Sequence, residues 1–145
     1  MTEGTFSTLE IDASPETLYA VAADVASYPD WAGGVKEVEV LEADESGRPA
    51  LARFVVDGFV KEIEYVLRYT HDPPDSLSWS AERSDDVRML EGAYRFTPAD
   101  GGTEVAYSLT VAPNFTLPGF LRRQAEKQIV TTALRGLRKR VAEGG

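Results

Sequence analysis

Two hydrophobic periods alternate along this chain, and their order predicts its architecture. Thr5 to Asp12 alternates apolar and polar residues with the period of two expected of a strand. Ala13-Ser14-Pro15-Glu16-Thr17 then reads as a helix start, with Ser14 as N-cap, Pro15 at the first helical position and Glu16 in the electropositive first turn. Leu18, Tyr19, Val21, Ala22 and Val25 continue at helical spacing. Pro29 stops that helix, Tyr28-Pro29-Asp30-Trp31 predicts a turn or a second short helix, and Gly33-Gly34 closes it.

From Val35 the period returns to two. Val38 and Val40 alternate with Glu37 and Glu39, and Asp44-Glu45-Ser46-Gly47 predicts a turn. Ala50 to Asp57 carries Ala52, Phe54 and Val56 on one face, and Asp57-Gly58 is a hairpin signal. Ile63, Tyr65, Leu67 and Tyr69 then alternate with Glu62, Glu64 and Arg68 until Asp72-Pro73-Pro74-Asp75 breaks the strand. Leu77, Trp79 and Ala81 form the next face. After the Ser84-Asp85-Asp86 turn, Gly92, Tyr94 and Phe96 share a face within Val87 to Thr97. Ala99-Asp100-Gly101-Gly102 turns the chain into Val105, Tyr107, Leu109 and Val111. Pro113 and Pro118 bracket a short link. Beyond it Leu121, Ala125, Ile129, Ala133 or Leu134, Leu137 and Val141 make the apolar stripe of a long helix.

The expected fold class is therefore α+β, in one domain over residues 1–145. Six consecutive strands joined by turns pair antiparallel with the first, giving a seven-stranded sheet. Two short helices lie between strands 1 and 2. Accumulated twist of roughly 20–25° per strand pair curves such a sheet. A long C-terminal helix across its concave side touches it in some places and stands off in others. The face turned inward carries Phe54, Tyr65, Tyr69, Trp79, Tyr94, Phe96 and Tyr107, with Ala52, Ala81 and Gly92 leaving room between them. Buried tyrosine hydroxyls need partners. Four of them suit an apolar pocket with polar anchors better than a dry core. The same face adds Val56, Leu67 and Leu109 to the expected lining, and the helix adds Leu121, Ala125 and Ile129. Trp31 either caps that pocket or pins the second short helix to the sheet. Phe115, Leu117, Phe120 and Leu121 form either an apolar lip to the pocket or a hydrophobic staple on the helix.

Composition narrows the partners. The chain has 145 residues, no cysteine and a formal charge of −9. From Pro118 onward seven basic residues face two acids, a net +5 that leaves −14 for the first 117 residues. Such an acidic body repels a phosphate backbone, so no nucleic-acid partner is expected. The basic helix face with Arg135, Arg138, Lys139 and Arg140 reads as a solvated face, open to transient contact with an anionic membrane. The N-terminus runs directly into the first strand with no basic and apolar leader, and no long apolar run occurs elsewhere, so a cytoplasmic location is expected.

Several phrases together resemble the START-like or SRPBCC (Bet v 1-like) superfamily. They are Ala13-Ser14-Pro15-Glu16, Ala26-Ser27-Tyr28-Pro29-Asp30-Trp31 with glycines behind it, Gly92-Ala93-Tyr94-Arg95-Phe96-Thr97-Pro98, Gly102-Thr103-Glu104-Val105, and the long amphipathic terminal helix. Within that superfamily the chain is most similar to the bacterial polyketide cyclase/dehydrase and lipid-transport group and to coenzyme-Q-binding, Coq10-like proteins. The resemblance spans essentially the whole chain and implies a helix-grip fold with a deep hydrophobic cavity. It leaves function open among lipid carriage, hormone binding, polyketide cyclisation and protein-interaction roles of a co-chaperone or toxin kind.

Candidate chemistry is sparse. His71 is the sole histidine, and neither Asp44-Glu45 nor Asp85-Asp86 has calcium-loop spacing, so no metal or cofactor is expected. No Gly-x-Ser-x-Gly elbow is present, and Gly101-Gly102-Thr103 precedes a strand rather than a phosphate-binding helix. His71 is placed at the surface or the pocket rim. Arg53, Glu62, Glu64, Arg68, Glu82, Arg95 and Glu104 fall by alternation on the outer face, so no catalytic residue is assigned. Binding or transport of a lipid, isoprenoid quinone or polyketide-like molecule is the leading expectation. An aromatase/cyclase or dehydrase is the enzymatic alternative, and it requires an ionisable pair in the cavity.

Overall fold

The computed structural model describes residues 4–58, 61–82 and 84–144. Strand β1 (Thr5–Ile11) leads into α1 (Pro15–Ala23), a 3-10 turn at Val25–Ser27 and α2 (Tyr28–Trp31). Then come β2 (Val35–Ala43), β3 (Pro49–Asp57), β4 (Glu62–Asp72), β5 (Ser76–Ala81), β6 (Val87–Ala99), β7 (Gly102–Pro113) and α3 (Gly119–Ala142). The seven strands form one antiparallel sheet in the order β1-β7-β6-β5-β4-β3-β2. Strands β2 to β7 follow one another as a meander, as short turns between antiparallel neighbours allow. β1 sits on the far edge beside β7, so α1 and α2 carry the chain from one edge of the sheet to the other. The chain has the helix-grip α+β fold.

Local chemistry explains the boundaries. Ser14 Oγ accepts from the Thr17 amide at 3.2 Å and caps α1, with Pro15 following it. Asp44 Oδ1 accepts from the Ser46 and Arg48 amides at 2.8 and 3.0 Å, and Gly47 supplies the positive φ of +83° that this turn needs. The hairpin signalled at Asp57-Gly58 closes between Asp57 and Glu62, and residues 59 and 60 within it lie outside the described residues. Alternation sorts the two faces of the sheet. Ala52, Phe54, Leu67, Tyr69, Leu77, Trp79, Tyr94 and Val105 are buried. On the outer face Arg53 bridges to Glu37 at 2.8 Å and Arg68 to Glu82 at 3.2 Å.

The stripe expected of the long helix needs correction. Ala125, Glu126, Val130, Leu134 and Leu137 are the buried residues of α3, whereas Leu121 is 38% and Ile129 46% exposed. Successive residues turn about 100° around a helix. The row of Glu126, Val130 and Leu134 is therefore the one seated against the protein, where α3 lies on β1, β7 and α1. The neighbouring row of Ala125, Ile129 and Ala133 overhangs a hollow. No described helix is long and apolar enough to cross a membrane.

Candidate functional site

Because α3 rests on one flank of the sheet, the strands farther across enclose space beneath it. An inner chamber of about 140 Å³ has Phe54, Tyr65, Leu67, Tyr69, Trp79, Tyr94, Tyr107 and Leu109 from the sheet as walls. Tyr28 and Trp31 from α2, with Ile129 and Ala133 from α3, complete it. It adjoins a wider outer chamber of about 460 Å³, and Gly33, Tyr65, Leu90, Val111 and Ile129 line both. The outer walls include Val56, Ile63, Phe115, Leu117, Arg122, Ala125, Gln128 and Thr132. Ile129, although 46% exposed, thus faces this hollow.

Ten of the residues expected to line the cavity meet at the inner chamber: Trp31, Phe54, Tyr65, Leu67, Tyr69, Trp79, Tyr94, Tyr107, Leu109 and Ile129. Val56 and Ala125 line the outer one. Two lie elsewhere. Phe96 stacks on Tyr94 with ring centroids 5.7 Å apart and meets Tyr19 of α1 edge-on at 6.0 Å, inside solid core. Alternation had put it on the correct face but does not say how far along the strand the hollow extends. Leu121 projects from the first turns of α3 into solvent, with Phe120 at 63% exposure beside it. Phe115 and Leu117 line the outer chamber. Trp31 lies at the inner chamber and packs on the long helix, where a Cβ at Gly136 of α3 would sit 3.3 Å from its ring.

Trp79 is the centre of the aromatic wall, with centroids 5.5 Å from Tyr107, 5.6 Å from Tyr94 and 6.1 Å from Tyr69. Gly92, its cross-strand partner on β6, gives the indole its place, since a Cβ there would fall 2.5 Å from the ring. Tyr94 and Tyr107 meet edge-on at 4.7 Å.

The polar atoms of this wall are unusual. Tyr28 donates its hydroxyl to the Ala22 carbonyl. The hydroxyls of Tyr65, Tyr69, Tyr94 and Tyr107 bond to no other described residue, and the buried Trp31 Nε1 has no partner. Burial pushes the phenols of Tyr69, Tyr94 and Tyr107 well above the ordinary value, and that of Tyr65 upward too. Neighbouring phenols add to the effect, Tyr65, Tyr107 and Tyr94 at Tyr69, and Tyr94 and Tyr65 at Tyr107, because like charges repel. The chamber therefore offers neutral hydroxyl and indole donors in an apolar setting. Among the described residues lining it there is no carboxylate, histidine, lysine or arginine.

His71 lies apart from this chamber. Tyr19, whose phenol burial raises to about 12, donates to His71 Nδ1 at 2.5 Å, and His71 Nε2 donates to the Pro49 carbonyl at 2.7 Å. The ring ties α1 to the start of β3. A surface groove of about 670 Å³ runs past it between Glu16, Tyr19, Arg48 and Pro73-Pro74, and among the described residues no buried polar atom lacking a partner lines it. No group of three metal-ligating side chains occurs among the described residues.

Sequence reading missed Glu126. It is wholly buried, accepting from Thr5 Oγ1 at 3.0 Å and from the Val111 amide at 2.8 Å, with Arg122 Nη1 at 3.4 Å. Among the described residues β1 pairs with β7 from Ile11 to Thr5, which stands opposite Leu109, and the Glu126 carboxylate takes the Val111 amide two residues further along β7. Its place in the row Glu126, Val130, Leu134, Leu137 was a readable signal, because an acid inside an apolar i, i+4, i+8 row calls for partners.

The sequence matches the family model described as polyketide cyclase / dehydrase and lipid transport over residues 11–138. No curated protein matches it. Solved structures share the fold at low identity. A START superfamily protein from Mycobacterium smegmatis is 20% identical with a TM-score of 0.89, covering 98% of this chain and 99% of that one. A protein from Thermus thermophilus is 22% identical with a TM-score of 0.82, covering 99% of each chain. The Zhui aromatase/cyclase from a Streptomyces species is 17% identical with a TM-score of 0.80, covering 97% of this chain and 93% of that one.

Proposed function

This chain belongs to the polyketide cyclase / dehydrase and lipid transport family, and from that premise we propose that it is a single ligand-binding domain whose joined chambers enclose a hydrophobic molecule bearing carbonyl oxygens. The reading is carried by the unpartnered hydroxyls of Tyr65, Tyr69, Tyr94 and Tyr107 and the unpartnered Trp31 Nε1 in an otherwise apolar wall. A buried donor without an acceptor, as at Trp31 Nε1, costs about 1–3 kcal/mol. A ligand that supplies acceptors recovers that cost while its hydrocarbon part gains about 0.8 kcal/mol per buried methylene. Ketone, quinone and ester oxygens answer this need, and a pure hydrocarbon does not. An isoprenoid quinone, a polyketide-like ring system and an ester lipid all satisfy it.

Binding or transport is favoured over catalysis on chemical grounds. Neutral phenols can donate to an enolate oxygen and stabilise it. Aldol cyclisation or dehydration also needs a base, and phenols raised above their ordinary pKa hold their protons at neutral pH. The exposed Arg135, Arg138 and Lys139 of α3 offer a route for transient contact with an anionic membrane during loading. Liposome co-sedimentation without salt-sensitive binding removes that part of the proposal.

The decisive experiment is native mass spectrometry of the protein purified from its own host, followed by extraction and identification of what it carries. Retention of a carbonyl-bearing hydrophobic molecule is the expected result. Protein that is empty throughout, with tryptophan fluorescence unmoved by quinone and ester-lipid probes, refutes the proposal.

A further inference from the structure

The two chambers lie end to end along the strands, and the register of the sheet shows where one gives way to the other. On β6 and β7 the paired residues Tyr94 and Tyr107 line only the inner chamber, and the pair Val87 and Pro113 only the outer one. Between them the pair Leu90 and Val111 lines both. β4 repeats the order, with Leu67 inside, Ile63 outside and Tyr65 shared. On α3 the row Ala133, Ile129, Ala125 does the same, with Ile129 shared. Sheet and helix therefore change over at one level, and Tyr65, Leu90, Val111 and Ile129 form a throat between the chambers. Most of this throat is held in place. Phe54 stacks on Tyr65 with centroids 5.6 Å apart, and Leu90 is buried. A Cβ at Gly33 would lie 2.8 Å from Thr132 Cγ2, so the loop after α2 rests on α3 beside Ile129. Ile129 differs, because it is exposed while its neighbour Val130 makes the core contact.

From this placement, and resting on the reading of the chambers as a ligand site, we propose that Ile129 sets the width of ligand this protein accepts. The bound molecule is then elongated and about one ring wide, threaded along β6 and β7 through the throat. At roughly 3.3 Å per strand residue, Val111 stands about 13 Å along β7 from Tyr107. The inner chamber of about 140 Å³ has the volume of about five waters at roughly 30 Å³ each. That is room for one carbonyl-bearing ring or a short chain beside the hydroxyls of Tyr94 and Tyr107, and three fused rings do not fit. The rest of the molecule passes the throat into the outer chamber of about 460 Å³. Close-packed interiors resist stretching, so a wide body at this level has to displace Ile129 or the stacked Tyr65.

The competing account is that Ile129 is one apolar contact among many. Two aryl methyl ketones separate these accounts: 4-butylacetophenone, with one ring, and 2-acetylphenanthrene, with three fused rings. Each is measured by equilibrium dialysis against the wild type and Ile129→Ala. Both tryptophans of the chain, Trp31 and Trp79, line the inner chamber, so their fluorescence reports a ketone arriving there. The three-ring ketone has the larger apolar surface, and a pocket without a filter favours it. The wild type is expected to prefer the one-ring ketone by about tenfold or more, the scale on which apolar sites discriminate by size. In Ile129→Ala affinity for the three-ring ketone rises about tenfold, while that for the one-ring ketone stays within about threefold. Wild type that binds both equally, or prefers three rings, overturns the width filter and leaves the pocket reading standing. A one-ring preference that survives Ile129→Ala overturns the role of Ile129, as does an equal change for both probes. If Ile129→Ala does not fold, Ile129→Val is read in its place for the same direction of change, and the wild-type ratio still decides the filter by itself. Failure of both ketones to bind the wild type refutes the pocket reading instead.

Discussion

Alkali should unfold this protein through its own tyrosines. All six tyrosines have phenols raised above 10.0 with burial as the first cause, and Tyr28, Tyr65, Tyr69, Tyr94 and Tyr107 are raised further than Tyr19. A group whose pKa is higher in the folded state contributes its full stabilisation below the unfolded pKa and loses it as pH rises beyond. At pH 11 a phenol of ordinary pKa in the unfolded chain is about nine-tenths ionised, which favours unfolding by about 1.4 kcal/mol per buried tyrosine. Five such groups give about 7 kcal/mol, comparable with the roughly 5–15 kcal/mol that holds a domain of this size together. Stability should therefore be flat up to about pH 9.5, fall from pH 10, and be largely gone near pH 11. Tyr19, raised only to about 12, begins to ionise before the others. The assay is a pH series that follows phenolate absorbance and far-ultraviolet circular dichroism together, with rapid-mixing pH jumps to separate the steps. The expected result is one cooperative transition in which most phenolate signal appears only as secondary structure disappears. A bound carbonyl ligand should move it to higher pH. Phenolate absorbance from most tyrosines rising near pH 10 while the circular dichroism stays native would refute the reasoning, since the hydroxyls would then be solvated and the chamber not enclosed.

Other substitutions probe separate parts of the same structure. Gly92→Ala places a methyl 2.5 Å from the Trp79 indole and should destabilise by about 1–3 kcal/mol, read in urea melts, with altered near-ultraviolet dichroism from the displaced ring. Tyr107→Phe removes a hydroxyl with no partner among the described residues, so the melting temperature of the empty protein should hold or rise while affinity for a carbonyl ligand falls several-fold. Glu126→Ala strands the Val111 amide and the Thr5 hydroxyl, removes the carboxylate beside Arg122, and should cost about 3–5 kcal/mol. Glu126→Gln, which retains one acceptor, should cost less in the same denaturant titration. Ser14→Ala deletes the α1 cap and should cost about 1 kcal/mol by thermal melt.

What the linear pattern determined was which face each strand residue occupies. Side chains alternate strictly along a strand, so Phe54, Tyr65, Tyr69, Trp79, Tyr94 and Tyr107 had to point the same way once the sheet formed. The cap at Ser14 and the break at Pro73-Pro74 were equally local, because a few neighbouring atoms decide them. What only the tertiary structure decided was where the helix touches the sheet. Periodicity assigns a helix its apolar side but leaves open which of two adjacent rows meets the strands, since Ile129 and Val130 are equally apolar. Seating α3 on β1 and β7 buries Val130 and leaves Ile129 over the hollow. The same choice makes Phe96 solid core rather than cavity wall, puts Glu126 against the Val111 amide, and brings Arg122 to the outer chamber. Each of these depends on contacts between residues distant in the chain, where curvature of the sheet, rather than the identity of neighbours, sets the distance.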